Sequence, residues 1–195
     1  MDKTIEYYNN NSRVFFESTV NVDMEEQYKM FEKYLPQGAR ILDLGCGSGR
    51  DSKYFLGRGY CVTAIDGSEE LCRLAREYTG LDVKQMFFED LDFKNDFNGV
   101  WACASLLHVP REHLEDVLKK VIDSLVSEGI LYISFKYGDY SGERNGRTFT
   151  DLDEDMLRKL TGKIRGCEIV EMSMSEDARA DRKDVWLNAV VRKKN

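Results

Sequence analysis

The stretch RILDLGCGSGR, residues 40–50, joins a short apolar run to a turn that contains Gly45, Gly47 and Gly49. Residues 50–58 follow with a helical pattern. A glycine-rich turn between a strand and a helix lets a ligand approach the backbone and the helix N-terminus. The spacing G-x-G-x-G differs from the dinucleotide fingerprint G-x-G-x-x-G, and no Lys-Ser or Lys-Thr pair follows it. The turn therefore predicts a ligand that is neither a dinucleotide nor a nucleoside triphosphate.

Two acidic residues narrow the choice of ligand. Asp43 lies two residues before Gly45, where a carboxylate opposes a pyrophosphate but suits an ammonium group. Asp66 ends the next apolar run, 66 − 45 = 21 residues after that glycine, where an acidic side chain binds ribose hydroxyls. A ligand with a ribose, a cationic amino group and no phosphate satisfies both. S-adenosylmethionine has all three properties.

Strand-like and helical patterns alternate from the glycine turn outward. Strands are predicted at 40–44, 61–65, 83–88, 100–104 and 130–135, and helices near 23–35, 50–58, 71–78 and 111–127. Several of these strands are nearly all apolar, as expected when helices cover both faces of a parallel sheet. The pattern predicts a doubly wound α/β fold.

The pattern changes after Phe135. A polar loop is expected at 137–150, followed by a short helix at 151–161. Two strand-like stretches, 167–174 and 185–192, then follow with no helix between them. Such a pair predicts an antiparallel hairpin at the end of an otherwise parallel sheet.

Length and composition limit the remaining choices. A chain of 195 residues favours one domain over residues 1–195, and the net charge of −7 disfavours sequence-independent binding of nucleic acid. Five cysteines without a C-x-x-C pair, beside only two histidines, favour reduced thiols and no metal site. The polar start and the lack of a long apolar stretch lead us to expect a cytoplasmic protein with no membrane association.

The motifs resemble those of the class I S-adenosylmethionine-dependent methyltransferases. Residues 41–50 with Ile65 and Asp66 resemble the first two motifs of that family, and residues 99–108 are similar to its fourth-strand motif. Residues 127–134 resemble the fifth-strand entry, with Ser-Glu-Gly where the family more often has Pro-Gly-Gly. The run Gly-Arg-Asp-Ser and the small size are weakly similar to the tellurite-resistance and thiopurine-type members.

The resemblance implies a Rossmann-like seven-stranded sheet with six parallel strands and an antiparallel terminal strand. It also implies a set of residues around the cofactor: Tyr8, Asp43, Gly45, Cys46, Gly47, Gly49, Asp66, Gly67, Ser68, Asp90, Leu91, Ala104 and Ser105. The glycines would lie under the methionine part, Asp43 near its amino group, and Asp66 at the ribose. Asp90 with Leu91 would meet the adenine, although a solvated loop acid is the equal alternative. The product would be S-adenosylhomocysteine.

Four segments are expected at the carboxyl ends of the strands, where ligands bind in open α/β sheets: 1–22, 104–112, 137–150 and 175–184. The first belongs to a helical extension, residues 1–35, that either covers the cofactor or packs on the sheet. Four arginines in the last two segments predict a pocket for a carboxylate or phosphate: Arg144, Arg147, Arg179 and Arg182. Pairing with neighbouring acids is the alternative.

His108 is a candidate general base after the fourth strand, or a packing residue. The leading functional hypothesis is methyl transfer, by in-line displacement, to a small and possibly anionic acceptor. Two alternatives stay open: a methyltransferase acting on tRNA or another nucleic acid, and a sensor that binds the cofactor without catalysis.

Overall fold

The computed structural model describes residues 3–179 and 182–194. The helices are α1 Lys3–Asn10, α2 Ser12–Thr19, α3 Glu25–Glu32, α4 Arg50–Gly57, α5 Glu69–Thr79, α6 Arg111–Ser124 and α7 Glu154–Gly162. The strands are β1 Arg40–Leu44, β2 Cys61–Asp66, β3 Lys84–Gln85, β4 Phe97–Ala102, β5 Leu125–Lys136, β6 Ser141–Arg144, β7 Arg147–Thr150, β8 Cys167–Glu176 and β9 Val185–Lys193. Two 3₁₀ turns span Phe88–Asp90 and Leu106–His108.

Seven strands form one sheet in the order β3-β2-β1-β4-β5-β9-β8. Strand β9 runs antiparallel to both of its neighbours, β5 and β8, while the other six strands are parallel to one another. This confirms the predicted Rossmann-like sheet and its antiparallel terminal strand. The strand order reverses between β1 and β4, which is where ligands bind in this type of sheet.

The sheet is buried on both faces, as the apolar strands predict. Alternate residues of β1 point to opposite sides. Ile41 packs on one side with Phe31 of α3 and with Trp101, whereas Leu42 packs on the other side with Leu118 of α6. All five of these side chains are at most 1% exposed. The carboxyl ends of the strands, and the loops that follow them, are therefore held on a rigid platform.

The expected loop at 137–150 is wrong, because the chain forms a second, two-stranded sheet there. Strands β6 and β7 pair antiparallel, with Arg144 opposite Arg147 across the turn. The turn residues Asn145 and Gly146 have φ values of 50° and 76°, which is the geometry of a type I′ hairpin.

Several predicted boundaries also shift. The third strand ends early, at Gln85, because the chain soon enters the 3₁₀ turn that begins at Phe88. The 111–127 helix ends at Ser124, because Leu125 is extended (ψ 144°) and opens β5. The fourth strand ends at Ala102, before Ala104 adopts a left-handed backbone with φ 50°.

Candidate active site

The glycine turn is tied to the end of β2 by its backbone. The amides of Gly45 and Cys46 both donate to the carbonyl of Ile65, at 2.9 Å each. Gly45 has a φ of 78°, and a Cβ added there would lie 2.6 Å from the Cβ of Ser105. A side chain at this position is therefore excluded twice, by the backbone conformation and by the space available.

Asp66 lies directly under the turn. Its two carboxylate oxygens accept from the amides of Gly47 at 2.9 Å and Ser68 at 2.8 Å. Burial raises the pKa of this carboxyl, and the two amides oppose that shift. The side chain is 8% exposed. Asp66 thus links the glycine turn to the N-terminus of α5.

A second pair of acids lies deeper. Asp43 is 2% exposed and accepts a 2.6 Å hydrogen bond from the hydroxyl of Ser52. Burial, followed by the nearby charge of Asp51, raises the pKa of Asp43. Burial acts the same way on Asp51, but Arg50 and the donors around it, including Trp101, lower the pKa of that carboxyl on balance. Below the turn, one buried carboxyl is therefore ion-paired with Arg50 and the other is pushed toward its protonated form.

Helix α1 covers the edge where the ribose is expected. A Cβ added at Gly67 would lie 2.6 Å from Cδ1 of Ile5. The side-chain oxygen of Asn9 accepts from the hydroxyl of Ser68 at 2.7 Å and from the amide of Glu70 at 3.3 Å. The N-terminus of α5 is consequently closed by side chains of α1.

The chain that follows β4 forms the opposite wall. Ala104 has a left-handed backbone, and its amide donates to the hydroxyl of Ser134 at 2.8 Å. The hydroxyl of Ser105 is buried and has no hydrogen-bond partner among the described residues. The 3₁₀ turn after it places His108 beside α1.

Tyr8 and His108 form a hydrogen-bonded pair, with 2.8 Å between Oη and Nε2. The Nδ1 of His108 lies 2.7 Å from the carbonyl oxygen of Thr148 on β7. A carbonyl only accepts, so Nδ1 carries a proton, and in the neutral ring Nε2 accepts from Tyr8. Burial raises the pKa of Tyr8, partly offset by Arg147, so the phenol keeps its proton.

Arg147, also on β7, completes this cluster. Its Nη1 donates to Tyr8 Oη at 3.4 Å, and its guanidinium carbon lies 4.4 Å from the centroid of the Tyr7 ring. Its Nε is buried with no hydrogen-bond partner, and no acidic side chain of the described residues forms an ion pair with it. The guanidinium lines the pocket, and the described residues leave one of its donors without a hydrogen bond.

The segment between β8 and β9 supplies the remaining wall. Arg179 donates two hydrogen bonds to Asp177, at 2.9 and 2.8 Å, and Trp186 donates a third at 3.1 Å. Burial opposes the charge of Asp177, but Arg179 outweighs it and lowers the pKa of that carboxyl to about 2. Arg182 is exposed at the rim. Residues 180 and 181 lie outside the described part of the chain.

These walls enclose one pocket at the carboxyl ends of β1 and β4. Nine of the residues singled out from the sequence line it: Tyr8, Gly45, Cys46, Gly47, Ala104, His108, Arg147, Arg179 and Arg182. Lys136, Phe149 and Asn188 also line it, although the sequence did not draw attention to them. The dipeptide Asn145-Gly146 was the available signal for the hairpin that carries Phe149, since this pair is typical of tight hairpin turns.

Other residues in the expected cofactor set lie off the pocket wall. Asp43 is buried below the turn, and Gly49 faces α5, where an added Cβ would lie 2.7 Å from Thr79. Asp66, Gly67 and Ser68 are under α1, and Ser105 packs behind Gly45. Asp90 is exposed, and Leu91 is in the core.

Arg144 does not reach the pocket either. It pairs with the buried carboxylate of Asp151, and its guanidinium lies 3.9 Å from the centroid of the Tyr140 ring. The two hairpin arginines thus differ: Arg144 pairs with an acid, whereas Arg147 faces the pocket without one.

Known proteins resemble this chain in sequence and in fold. Residues 41–129 match a family model described as a methyltransferase domain. A Staphylococcus carnosus protein described as a methyltransferase is 27% identical over 192 residues, covering 90% of this chain and 93% of that relative. The methyltransferase YqeM of Bacillus subtilis is 31% identical over 160 residues, covering 76% of this chain and 64% of YqeM.

A solved structure shares the fold. The 1,6-didemethyltoxoflavin-N1-methyltransferase of Burkholderia thailandensis, determined with 1,6-didemethyltoxoflavin and S-adenosylhomocysteine bound, superposes with a TM-score of 0.77 at 23% identity. The alignment covers 97% of this chain and 85% of that one. The sheet and its glycine turn therefore define a Rossmann-like methyltransferase fold. The sequence matches and the shared fold together support a class I S-adenosylmethionine-dependent methyltransferase.

The residues present fit S-adenosylmethionine. Gly45 and Gly47 line the pocket with backbone and no side chain, and the buried hydroxyl of Ser105, which packs against Gly45, lacks a partner among the described residues. Asp43 and Asp66 are buried carboxyls below the turn, and a ligand that carries an ammonium and a sulfonium group would favour their ionised forms. Within residues 3–179 and 182–194, no group of His, Cys, Asp and Glu side chains forms a metal site, and no helix is long and apolar enough to cross a membrane.

Proposed function

We propose that this methyltransferase acts on a small anionic acceptor that is held by Arg147, and that the methyl group is transferred by in-line displacement. The observation that carries this proposal is the state of Arg147. Its buried Nε has no partner and the described residues provide no carboxylate to pair with it. A buried donor without a partner is costly, and a carboxylate or phosphate of the acceptor would give this half-buried guanidinium charge-assisted hydrogen bonds in the pocket that it lines.

The charges around the pocket support the same acceptor class. The lining includes five basic side chains, Arg50, Lys136, Arg147, Arg179 and Arg182, against three acidic ones, Asp51, Glu176 and Asp177. This excess of positive charge occurs in a chain whose net charge is −7. Four helices, α1 to α4, and the β6–β7 hairpin border the pocket, which favours a small acceptor over a macromolecule.

The chain's own residues are proposed to bind and align the reactants. S-adenosylmethionine supplies an activated methyl group on its sulfonium when bound. Gly45 and Gly47 would lie under its methionine part, and Asp66 would accept from the ribose hydroxyls once α1 moves off Gly67. Arg147 would hold the acceptor at the far end of the pocket. Such alignment accounts for much of the rate of a displacement, because it removes the entropy cost of bringing two reactants together.

We also propose a cytoplasmic location. All five cysteines are free, and Cys61 is exposed. Unpaired thiols persist in reducing compartments.

The test compares two arginines of one hairpin, Arg147→Gln and Arg144→Gln. Methyl transfer is measured to 4-hydroxybenzoate and to its uncharged counterpart 4-hydroxybenzamide, and binding of S-adenosylhomocysteine is measured by calorimetry. We expect Arg147→Gln to raise KM for the carboxylate by about 10- to 100-fold, since hydrogen bonds to charged groups contribute about 1.5–3 kcal/mol. Cofactor affinity should stay within about threefold, because Arg147 is proposed to hold only the acceptor. Arg144→Gln should change neither quantity.

Two results would contradict this proposal. If Arg147→Gln abolishes cofactor binding and leaves the preference for the carboxylate unchanged, Arg147 serves the methionine carboxylate. If the protein methylates bulk tRNA, with activity that falls steeply as salt rises, the acceptor is a nucleic acid.

A further inference from the structure

The function proposed above does not yet use the hydrogen bond between Tyr8 and His108. Displacement at a sulfonium needs no acid or base when the acceptor atom already carries a lone pair and no proton to lose. Nevertheless, a phenol and an imidazole line the pocket, 2.8 Å apart, with their protons ordered in one direction. Such a chain is useful only to a reaction that releases a proton.

The direction of this hydrogen-bonded series follows from its end at Thr148. The Thr148 carbonyl fixes a proton on Nδ1 of His108, which leaves Nε2 as the acceptor for the Tyr8 proton. The amide of Thr148 in turn donates to the hydroxyl of Thr4, at 3.0 Å. Helix α1, which carries Tyr8, is therefore fastened to the strand that orients His108.

Tyr8 is the end of this hydrogen-bonded series that is proposed to meet the acceptor. Tyr8 Oη lies 3.4 Å from Nη1 of Arg147, the cation proposed to bind the acceptor's anionic group. Tyr8 lines the same pocket as the glycine turn. An acceptor held by Arg147 consequently places its own polar hydrogens close to Tyr8.

Resting on the proposed function, we propose that Tyr8 and His108 together act as the general base of the reaction: Tyr8 takes the proton of the acceptor as it passes its own proton to His108. The acceptor is therefore an anionic compound that is methylated at an O–H or N–H group. Thiolates and other nucleophiles that are already deprotonated would not need this pair.

The step balances as follows. The acceptor oxygen or nitrogen forms a bond to the methyl carbon, and the carbon–sulfur bond breaks with its electron pair left on sulfur. The acceptor's O–H or N–H bond breaks and its proton passes to Tyr8 Oη. The original Tyr8 proton passes to Nε2 of His108. The resulting imidazolium is stabilised by the Thr148 carbonyl, and it later returns the proton to solvent.

The first test needs no acceptor. The chain contains two histidines, and the exposed His113 can be replaced by Gln, so ¹⁵N spectra of histidine-labelled protein report His108 alone. The proposal expects a proton on Nδ1 and a hydrogen-bonded Nε2 whose resonance moves in Tyr8→Phe. A proton on Nε2, or an Nε2 resonance unchanged by Tyr8→Phe, would overturn it.

The second test separates a base from a structural residue. Methyl transfer is compared for 4-hydroxybenzoate and 4-mercaptobenzoate, which share the carboxylate but differ in whether the acceptor must lose a proton at pH 8. Tyr8→Phe should slow O-methylation by about a hundredfold or more, which is the usual contribution of a general base. S-methylation should change by less than about threefold, since no base is needed.

Further variants test whether Tyr8→Phe acts through misfolding or loss of binding instead of through loss of a base. In His108→Asn, the amide nitrogen can still donate to Thr148 while the Nε2 acceptor is lost, so the same oxygen-selective loss is expected. Tyr137→Phe, which removes an exposed hydroxyl outside the pocket, is the control. Equal losses for both acceptors in Tyr8→Phe would overturn the role of a base, as would transfer to the thiol alone by the wild type. If neither acceptor is methylated while S-adenosylhomocysteine binds, the proposed acceptor class fails, and the ¹⁵N result still decides the proton chain.

Discussion

The two ends of the pocket are built differently. The proposed cofactor end is lined by Gly45, Cys46 and Gly47, which Asp66 supports from below, and its contacts are mostly made by backbone amides. The acceptor end joins segments that are far apart in the chain: Tyr8 and His108 are 100 residues apart, and Thr4 and Thr148 are 144. Its contacts are made largely by side chains.

This difference indicates which end of the pocket tolerates amino-acid substitutions. Backbone contacts fix the shape of the glycine turn whatever side chains surround it, so one cofactor site can be kept through extensive change elsewhere. Side-chain contacts between distant segments can be exchanged one at a time. We therefore expect substitutions at the cofactor end to affect every acceptor alike, and substitutions at the acceptor end to alter selectivity.

The largest effect is expected from Gly45→Ala, with Gly80→Ala as its matched control. Both glycines have a φ of 78°, but a Cβ at Gly45 would lie 2.6 Å from Ser105, whereas Gly80 has nothing within 4 Å. Both variants should lose about 1–2 kcal/mol of folding stability, because an L-residue is strained there. Only Gly45→Ala should also lose cofactor affinity, by about a hundredfold or more, as each 1.4 kcal/mol of misfit costs tenfold. Thermal unfolding and calorimetric titration with S-adenosylhomocysteine measure the two effects, and equal affinities in the two variants would contradict the clash.

Asp66→Asn tests whether the acid under the turn binds ribose. The substitution removes the charge that accepts from Gly47 and Ser68, and the hydrogen bonds proposed to the ribose hydroxyls. We expect S-adenosylmethionine to bind about 10- to 100-fold more weakly, since hydrogen bonds to a charged group contribute about 1.5–3 kcal/mol. Selectivity among acceptors should not change. A normal affinity in a folded variant would show that the ribose lies elsewhere.

Asn9→Ala probes helix α1, which touches both ends of the pocket. Its side chain accepts from Ser68 and Glu70, and the loss of these bonds should cost about 1–2 kcal/mol of folding stability. Because α1 covers the proposed ribose edge, the cofactor should associate several-fold faster in the variant. Stopped-flow binding measures this rate, with Asn10→Ala as an exposed control on the same helix. Slower association in Asn9→Ala would mean that α1 assists entry of the cofactor.

The smallest effect is expected from the protonation of Asp43. Its pKa is raised by burial, so the carboxyl holds a proton above the pH at which an exposed aspartate ionises. The contribution of this group to stability is therefore complete below the unfolded pKa and is lost as the pH rises through the folded pKa. A cationic ligand favours the ionised form, so cofactor affinity should rise with pH. Calorimetry in buffers of different ionisation enthalpy should detect a released proton in the wild type and a smaller release in Asp43→Asn; identical release would rule out Asp43 as its source.

The features that the sequence predicted and those that it missed differ in the same way as the two ends of the pocket: local patterns were predictable, and contacts between distant segments were not. The order of elements, the sheet and the glycine turn depend on short-range patterns, and the structure confirms the predicted sheet. The hairpin at Asn145 and Gly146 was missed because a polar, glycine-bearing segment also fits an irregular loop. The sequence proposed Tyr8, His108 and Arg147 separately, but nothing local indicates that residues 8, 108 and 147 meet.

The sequence also does not distinguish the two arginines of the hairpin. Arg144 and Arg147 are equivalent in the sequence, three residues apart in one polar segment. They separate only in the folded chain, where Asp151 lies within reach of the first and not of the second. Whether a charged side chain is paired depends on tertiary neighbours, and composition does not report them.

The placement of the two tryptophans makes the protein its own optical reporter. Trp101 is fully buried and stacks on Tyr132, with 4.0 Å between the ring centroids, whereas Trp186 lies on the pocket wall and donates to Asp177. One indole therefore senses the integrity of the core and the other the contents of the pocket. With Trp101 replaced by Phe, the fluorescence of the remaining indole would follow an acceptor entering the pocket in real time, with no label attached.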